Sequence, residues 1–204
     1  SNIDDYDVLT IASLGTIANG GDLVPDSTQG YGASNGTLMF FMGGQISGGL
    51  TADMDYVTIA SLGGSSDAGD LSGTYKQGGF TSGDTRGGRF GGATGDQSSG
   101  YVNYATNSID YIAFHTSNNA ADFGDLYTKN YYGSACASKT VWVHKSGGDY
   151  TTRVEFWGGL NTSNAAIDSI LYITIASEGD ATDAGNLYGG VDRLDHGGFS
   201  GAAS

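Results

Sequence analysis

The sequence predicts an all-β fold built from about four copies of one strand-rich unit. One phrase recurs along the chain, glycine accounts for 36 of the 204 residues against 1 proline, and no segment has the apolar periodicity of a helix. The 13 tyrosines and 8 phenylalanines argue against disorder, because disordered chains contain few aromatic residues. The glycines are therefore expected in tight turns and at close backbone contacts.

The recurring phrase defines the repeat. Each copy is followed by a Gly-Asp-Leu turn or its Gly-Asn-Leu variant, and the leucines of these turns are 48, 55 and 61 residues apart. A drifting period of this size indicates a repeat architecture. The predicted single domain, residues 1–204, divides into units at approximately 4–53, 54–108, 109–167 and 168–204. The four copies read YDVLTIASL at 6–14, MDYVTIASL at 54–62, IDYIAFHT at 109–116 and ILYITIAS at 170–177.

Four antiparallel strands are predicted for each unit. The recurring phrase alternates as a strand does, with Val57 and Ile59 on one face and Tyr56 and Thr58 on the other. Both faces are moderately apolar, which favours a sheet covered on both sides. A strand ending in paired glycines precedes the phrase, a small glycine-rich strand comes before that, and the Gly-Asp-Leu segment begins an outer edge strand. Four such strands, stacked face to face with those of the next unit, are typical of a β-propeller blade.

The predicted strand types do not occur in equal numbers. The paired-glycine strand occurs at 37–44, 86–92 and 153–159, whereas the central and small strands occur four times each. The expected propeller therefore has about four blades with an incomplete one at the termini, completed by a longer chain or by a neighbouring molecule. A hairpin insertion is predicted over 139–158, with its turn at 146–149.

Composition excludes several classes of function. The 22 acidic and 8 basic residues give a net charge of −14, which argues against nucleic acid as a partner. No apolar run is long enough for a membrane-spanning helix, and no membrane insertion is expected. The 3 histidines have no zinc-site spacing, no nucleophile elbow is present, and no carboxylate pair stands out for glycoside hydrolysis. The sequence therefore predicts a protein that is not an enzyme.

The acidic turns have two interpretations. Asx side chains can hold a tight turn by accepting hydrogen bonds from backbone N–H groups. Calcium would need about six to eight converging oxygen ligands, more than one such turn supplies. We predict structural turns and no cofactor, with calcium as the alternative. The residues concerned are Asp67, Asp70, Asp122, Asp125, Asp183 and Asn186.

Aromatic side chains around the third unit also have two interpretations. Their apolar faces suit stacking on pyranose rings, and the same rings could simply pack between blades. A binding face, if present, is expected at Trp142, Tyr150, Trp157, Tyr131 and Tyr132.

The phrase DYVTIAS, with its Gly-Asp-Leu turn and paired-glycine strand, resembles repeats of kelch-like proteins from tailed bacteriophages, notably marine cyanophages. Residues 55–71, 110–126 and 168–187 carry this resemblance, and 4–23 are a weaker copy. It implies a kelch-like β-propeller in a virion tail, fibre or capsid appendage, whose partners are other virion proteins or copies of itself. The expected function is non-enzymatic assembly and surface display. The alternative is a carbohydrate-binding adhesin module that recognises host surface glycans during attachment.

Overall fold

The computed structural model describes residues 4–9, 17–24, 26–82, 86–95, 104–114, 119–137, 153–163, 165–174 and 178–187. These ranges contain strands and turns but no helix, which confirms the all-β prediction. Consequently, none of the described residues belongs to a helix that could cross a bilayer.

Most of the strands belong to three four-stranded antiparallel sheets. The first sheet is β3-β4-β7-β8, the second β9-β10-β11-β12 and the third β13-β14-β15-β16; β1 and β2 form a separate first hairpin, and β5 and β6 a short one. The strands are β1 Asp5–Val8, β2 Ala18–Asp22, β3 Tyr31–Ser34, β4 Leu38–Met42, β5 Gln45–Ile46, β6 Gly49–Leu50, β7 Asp53–Thr58, β8 Ser66–Asp70, β9 Gly79–Ser82, β10 Arg86–Phe90, β11 Thr106–Ala113, β12 Ala121–Asn130, β13 Ser134–Ala137, β14 Arg153–Trp157, β15 Ser169–Thr174 and β16 Thr182–Asn186.

Each four-stranded sheet is a meander in the predicted order. The small strand pairs with the paired-glycine strand, which pairs with the central strand, which pairs with the outer strand. The first hairpin consists of the central and outer strands of the first copy. A sheet therefore takes its first two strands from one predicted unit and its last two from the next.

The structure describes the predicted hairpin insertion only at its C-terminal end, where 153–157 form the paired-glycine strand that the sequence also predicted. Strand β14 pairs with both β13 and β15, so 153–157 are the regular second strand of the third sheet. The rest of the predicted insertion, 139–152, lies outside the described residues.

The sheets pack face to face. On the first sheet, Met54 and Ala68 share a core with Ile112 of β11 and with Phe114, which follows that strand. On the second sheet, a corresponding core joins Phe90 to residues of the third. We call the face of a sheet that packs on the following sheet its back face, and the opposite one its front face. Because strand side chains alternate, a central strand such as β7 buries residues on both faces.

Candidate functional site

One backbone hydrogen bond recurs at the outer edge of every seam between neighbouring sheets. The residue just before an outer strand donates its N–H to the carbonyl of the Asp in the preceding Gly-Asp-Leu segment. Three seams have this bond, so each sheet is joined to the next in the same way. The N···O distances are 3.0 Å for Ser65 to Asp22, 2.7 Å for Ala120 to Asp70 and 2.7 Å for Ala181 to Asp125.

Side chains extend two of these seams. The N–H of Asp70 donates to Oδ1 of Asn119 at 3.1 Å, and the N–H of Asp125 donates to Oδ1 of Asp180 at 3.0 Å. Asp70 and Asp125 thus bond to the next sheet through both backbone groups. Their described contacts join neighbouring sheets, whereas the sequence analysis predicted them only as residues of structural turns.

The other predicted turn residues lie inside outer strands, at β-bulges. Asp67, Asp122 and Asp183 each come directly before the residue at which the register between central and outer strands shifts. Each carboxylate accepts a hydrogen bond from the glycine N–H two residues later, at 2.7 Å, 3.1 Å and 2.7 Å respectively. These bonds satisfy an N–H that the bulge removes from the ladder. The sixth predicted residue, Asn186, ends β16.

Metal ligation was the alternative interpretation of these carboxylates. Within the ranges that the structure describes, no group of three or more His, Cys, Asp or Glu side chains is placed to hold a metal ion.

A second recurring contact lies at the inner edge of the seams. Gln29, Gln77 and Tyr132 stand at corresponding positions and have φ of 60°, 59° and 58°. The N–H of Gln77 donates to the carbonyl of Gln29 at 3.4 Å, and that of Tyr132 to the carbonyl of Gln77 at 2.6 Å. The left-handed conformation is tolerated there because each residue is held by its neighbour in the next sheet.

The paired glycines join each sheet to the segment that leads into the next. Gly44 donates its N–H to the carbonyl of Tyr75, and Gly92 donates to that of Asn130, both at 2.8 Å. Gly44 has φ of 103°, and a Cβ atom there would lie 2.6 Å from the carbonyl oxygen of Thr28. Only glycine fits this left-handed and crowded position.

A buried charged network lies at the seam between the first and second sheets. Arg89 and Asp110 are paired across β10 and β11, with Nη2 of Arg89 2.9 Å from Oδ2 of Asp110. The same guanidinium donates to the carbonyl of Gly91 and lies 3.6 Å from the ring centre of Tyr75. The hydroxyl of Ser72 donates to the Asp110 carboxylate at 2.7 Å. A buried ion pair with its remaining groups satisfied is far less costly than a lone buried charge.

The corresponding seam position of the first sheet holds a carboxylate without an arginine. Asp55 pairs with Phe41, and its Oδ2 accepts hydrogen bonds from the Val24 N–H at 3.0 Å and the Ser65 hydroxyl at 3.1 Å. Burial raises the pKa of Asp55 above its ordinary value, and these two hydrogen bonds oppose the rise.

Two further ionisable groups are buried at the inner edge. Lys76 is fully buried, and its Nζ donates to Oε1 of Gln45 at 2.8 Å. The buried Tyr31 hydroxyl accepts a hydrogen bond from the Gly78 N–H at 3.0 Å, and burial raises the pKa of Tyr31. Both groups stabilise the inner edge, where polar atoms must be paired.

A cleft opens between the second and third sheets. Its lining includes Gly88, Phe90 and Ile173. In the first sheet, Phe40 occupies the position of Gly88 and packs on the following sheet. At the mouth, the Tyr111 hydroxyl donates to Oε1 of Glu178 at 2.9 Å. The cleft is therefore an unfilled packing position with a polar rim.

Of the predicted aromatic binding face, the structure describes Tyr131, Tyr132 and Trp157. Tyr131 is 0 % exposed, its ring centre lies 5.2 Å from that of the half-buried Tyr132, and it packs in a core with neighbouring apolar residues. A sugar-stacking role for Tyr131 is therefore wrong. Trp157 is half-buried at the end of β14. Trp142 and Tyr150 lie outside the described residues.

The sequence did carry signals of the network and the cleft. Arg89 stands at the position of its strand where the other sheets have Phe41 and Phe156. Gly88 stands where the first sheet has an aromatic residue. A comparison of the units position by position would have identified both.

A comparison of the chain with family models found no match, and a comparison with curated proteins found none either.

Proposed function

We propose that this chain is a non-enzymatic structural protein of a phage virion, in which a propeller-like stack of sheets provides a rigid scaffold for assembly and surface display. The observation that carries the proposal is the seam hydrogen bond repeated between successive sheets, at Asp22, Asp70 and Asp125. A protein in which the same backbone hydrogen bond joins each sheet to the next is suited to holding a fixed shape.

Rigidity follows from how the seams are made. The inner edge is tied through Gln77, the outer edge through the seam bonds, and the space between them by apolar cores. Relative movement of two sheets would break all three sets of contacts together. Loops at the sheet ends would then be presented in fixed positions, as display requires.

The propeller arrangement extends this argument from three sheets to a ring. Sheets that are related by the same rotation at every step turn about a common inner edge. We place the small strands at that edge. Class averages from cryo-electron microscopy of the purified protein test this: a disc with a central axis is expected. An elongated, open stack in every view would contradict a ring.

The location in a virion is supported by the repeat phrase. Mass spectrometry of purified virions from the phage that encodes the chain is the direct test. The expected result is that its peptides co-purify with the particles in constant ratio to the other structural proteins. Peptides confined to the infected-cell lysate would contradict the proposal.

The glycan-binding alternative now depends on Trp142, Tyr150 and the half-buried Tyr132 and Trp157, because Tyr131 is buried. A glycan array with the wild type, Trp142→Ala and Tyr150→Ala separates the two functions. Under the structural proposal, all three proteins leave the array unlabelled. Labelling of the wild type that either substitution abolishes would establish the alternative instead.

A further inference from the structure

The back face of the third sheet exposes positions that the other sheets bury. In the outer strands, Ala68 and Phe123 are 3 % and 4 % exposed, whereas Ala184 at the same position of β16 is exposed. Trp157 and Ile170 are half-buried on this face, although their counterparts in the first two sheets are almost completely buried. These positions are apolar in all three sheets, and their exposure on the third sheet indicates an interaction surface.

The front face of the first hairpin shows the complementary pattern. Val57, Ile112 and Ile173 are 3 %, 4 % and 6 % exposed, whereas Leu9, the corresponding residue of the hairpin, is 53 % exposed. Ile17 precedes β2 as Ala120 precedes β12, and it is 63 % exposed. Leu9 and Ile17 thus lie on the face that, in each sheet, packs on its predecessor.

We infer that the back face of the third sheet binds the front face of the first hairpin in a second copy of the chain, so that copies associate head to tail. This inference rests on the proposed structural function and names its partner. Three seams within the chain already show how a front face covers a back face, and the end faces carry the two halves of a fourth seam. Such an interface is heterologous, and it makes a ring or filament of copies according to its rotation.

Backbone groups at the two faces match as well. In each internal seam the residue before an outer strand donates its N–H to the carbonyl at the Asp position of the preceding Gly-Asp-Leu segment. At the end faces these groups belong to Ile17 and Asn186, and in the described part of the chain they do not bond to each other. A second copy would supply each with its missing partner, together with apolar cover for Leu9, Trp157 and Ala184.

Charge sets the conditions for association. Each copy carries a net charge of −14, so two copies repel at low ionic strength. Salt screens that repulsion but leaves apolar burial intact. Association is therefore expected to strengthen as salt is added, opposite to an interface held by ion pairs.

Thiol cross-linking tests the contact directly, in a Cys136→Ser background. Ile17→Cys molecules are mixed with Ala184→Cys molecules and treated with a short bis-maleimide. A covalent dimer is expected from the mixture and from neither variant alone, because head-to-tail contact brings unlike positions together. No dimer in the mixture would overturn the inference. So would an intramolecular link as the only product of a chain that carries both cysteines, because the chain would then close on itself.

An internal pair separates failure of the inference from failure of the proposed function. Ala68→Cys with Ala120→Cys reproduces the same two positions at the seam between the first and second sheets, where both residues pack in one core. It should cross-link within a monomer. If it does and the end-face pair does not, only head-to-tail association is refuted. If the internal pair also fails, the stacked scaffold is refuted too.

Sedimentation of unmodified chains provides the second measurement. Leu9→Glu should weaken self-association by about tenfold or more, since it places a charge where apolar cover is needed. The matched control is Tyr127→Glu, which alters a side chain that is 76 % exposed and lies on neither end face. Equal effects of both substitutions, or a wild type that stays monomeric at high concentration and high salt, would overturn the inference.

Discussion

Arg89 and Asp110 form an ion pair that is 0 % and 1 % exposed, with 2.9 Å between Nη2 and Oδ2. In the third sheet the same two register positions hold Phe156 and Leu171, which are both buried. One fold position is thus filled by an ion pair in one seam and by apolar side chains in another. The third sheet therefore shows which apolar side chains fit this position, and the stability of the ion pair can be compared with theirs.

Arg89→Phe alone should lower the free energy of unfolding by about 3–5 kcal/mol, because it leaves the Asp110 carboxylate buried without its cation. Arg89→Phe with Asp110→Leu, which copies the third sheet, should recover a large part of that loss. Urea denaturation of the wild type, both single variants and the double variant gives the coupling energy. If the losses of unfolding free energy in the two single variants simply add up in the double variant, the two side chains are not coupled as an ion pair.

The crowding at the inner edge can be tested by substituting Gly44, with the nearby Gly48 as the control. Gly44 and Gly48 have nearly equal φ, 103° and 102°, but a Cβ at Gly44 would meet the Thr28 carbonyl oxygen, and at Gly48 it would meet nothing within 4 Å. Both alanine variants carry the left-handed strain of about 1–2 kcal/mol. Gly44→Ala should lose clearly more stability than Gly48→Ala, as thermal unfolding would measure. Equal losses would mean that backbone crowding plays no part.

How much the sequence could predict depended on which physical signal it carried. Strand order followed from the alternation in segments such as Val57–Ile59 and from the position of the paired glycines, both of which are local. The burial of Tyr131 could not be read locally, since an aromatic residue after an outer strand serves equally well as surface or as core. Residues 153–157 were predicted both as a paired-glycine strand and as the end of an insertion, and their pairing with β13 and β15 places them in the third sheet. Contacts across neighbouring strands, such as the pairing of Arg89 with Asp110, depend on strand register.

The buried carboxylate of Asp55 should make stability depend on pH. Burial raises its folded-state pKa, so folding favours the protonated form. That contribution is fully present below the unfolded pKa and is lost as pH rises through the higher folded pKa. Relative to Asp55→Asn, which stays neutral and keeps an acceptor oxygen, the wild type should therefore lose stability between about pH 3 and about pH 7. Urea denaturation at both pH values measures the difference, with the exposed Asp53→Asn as control. An unchanged difference would contradict the assignment.

Substitutions at Asp67 separate its two sequence interpretations. Its Oδ1 accepts the Gly69 N–H at 2.7 Å, and an amide oxygen can accept the same bond. Asp67→Asn should therefore leave the unfolding free energy nearly unchanged, whereas Asp67→Ala should lower it by about 0.5–1.5 kcal/mol. Thermal unfolding with calcium and with a chelator completes the test, since a bound cation would stabilise the folded state by an amount that grows with the logarithm of its concentration. If calcium raised the wild-type transition and Asp67→Asn removed that rise, the carboxylate would be a metal ligand and the interpretation as a hydrogen-bonded bulge would fail.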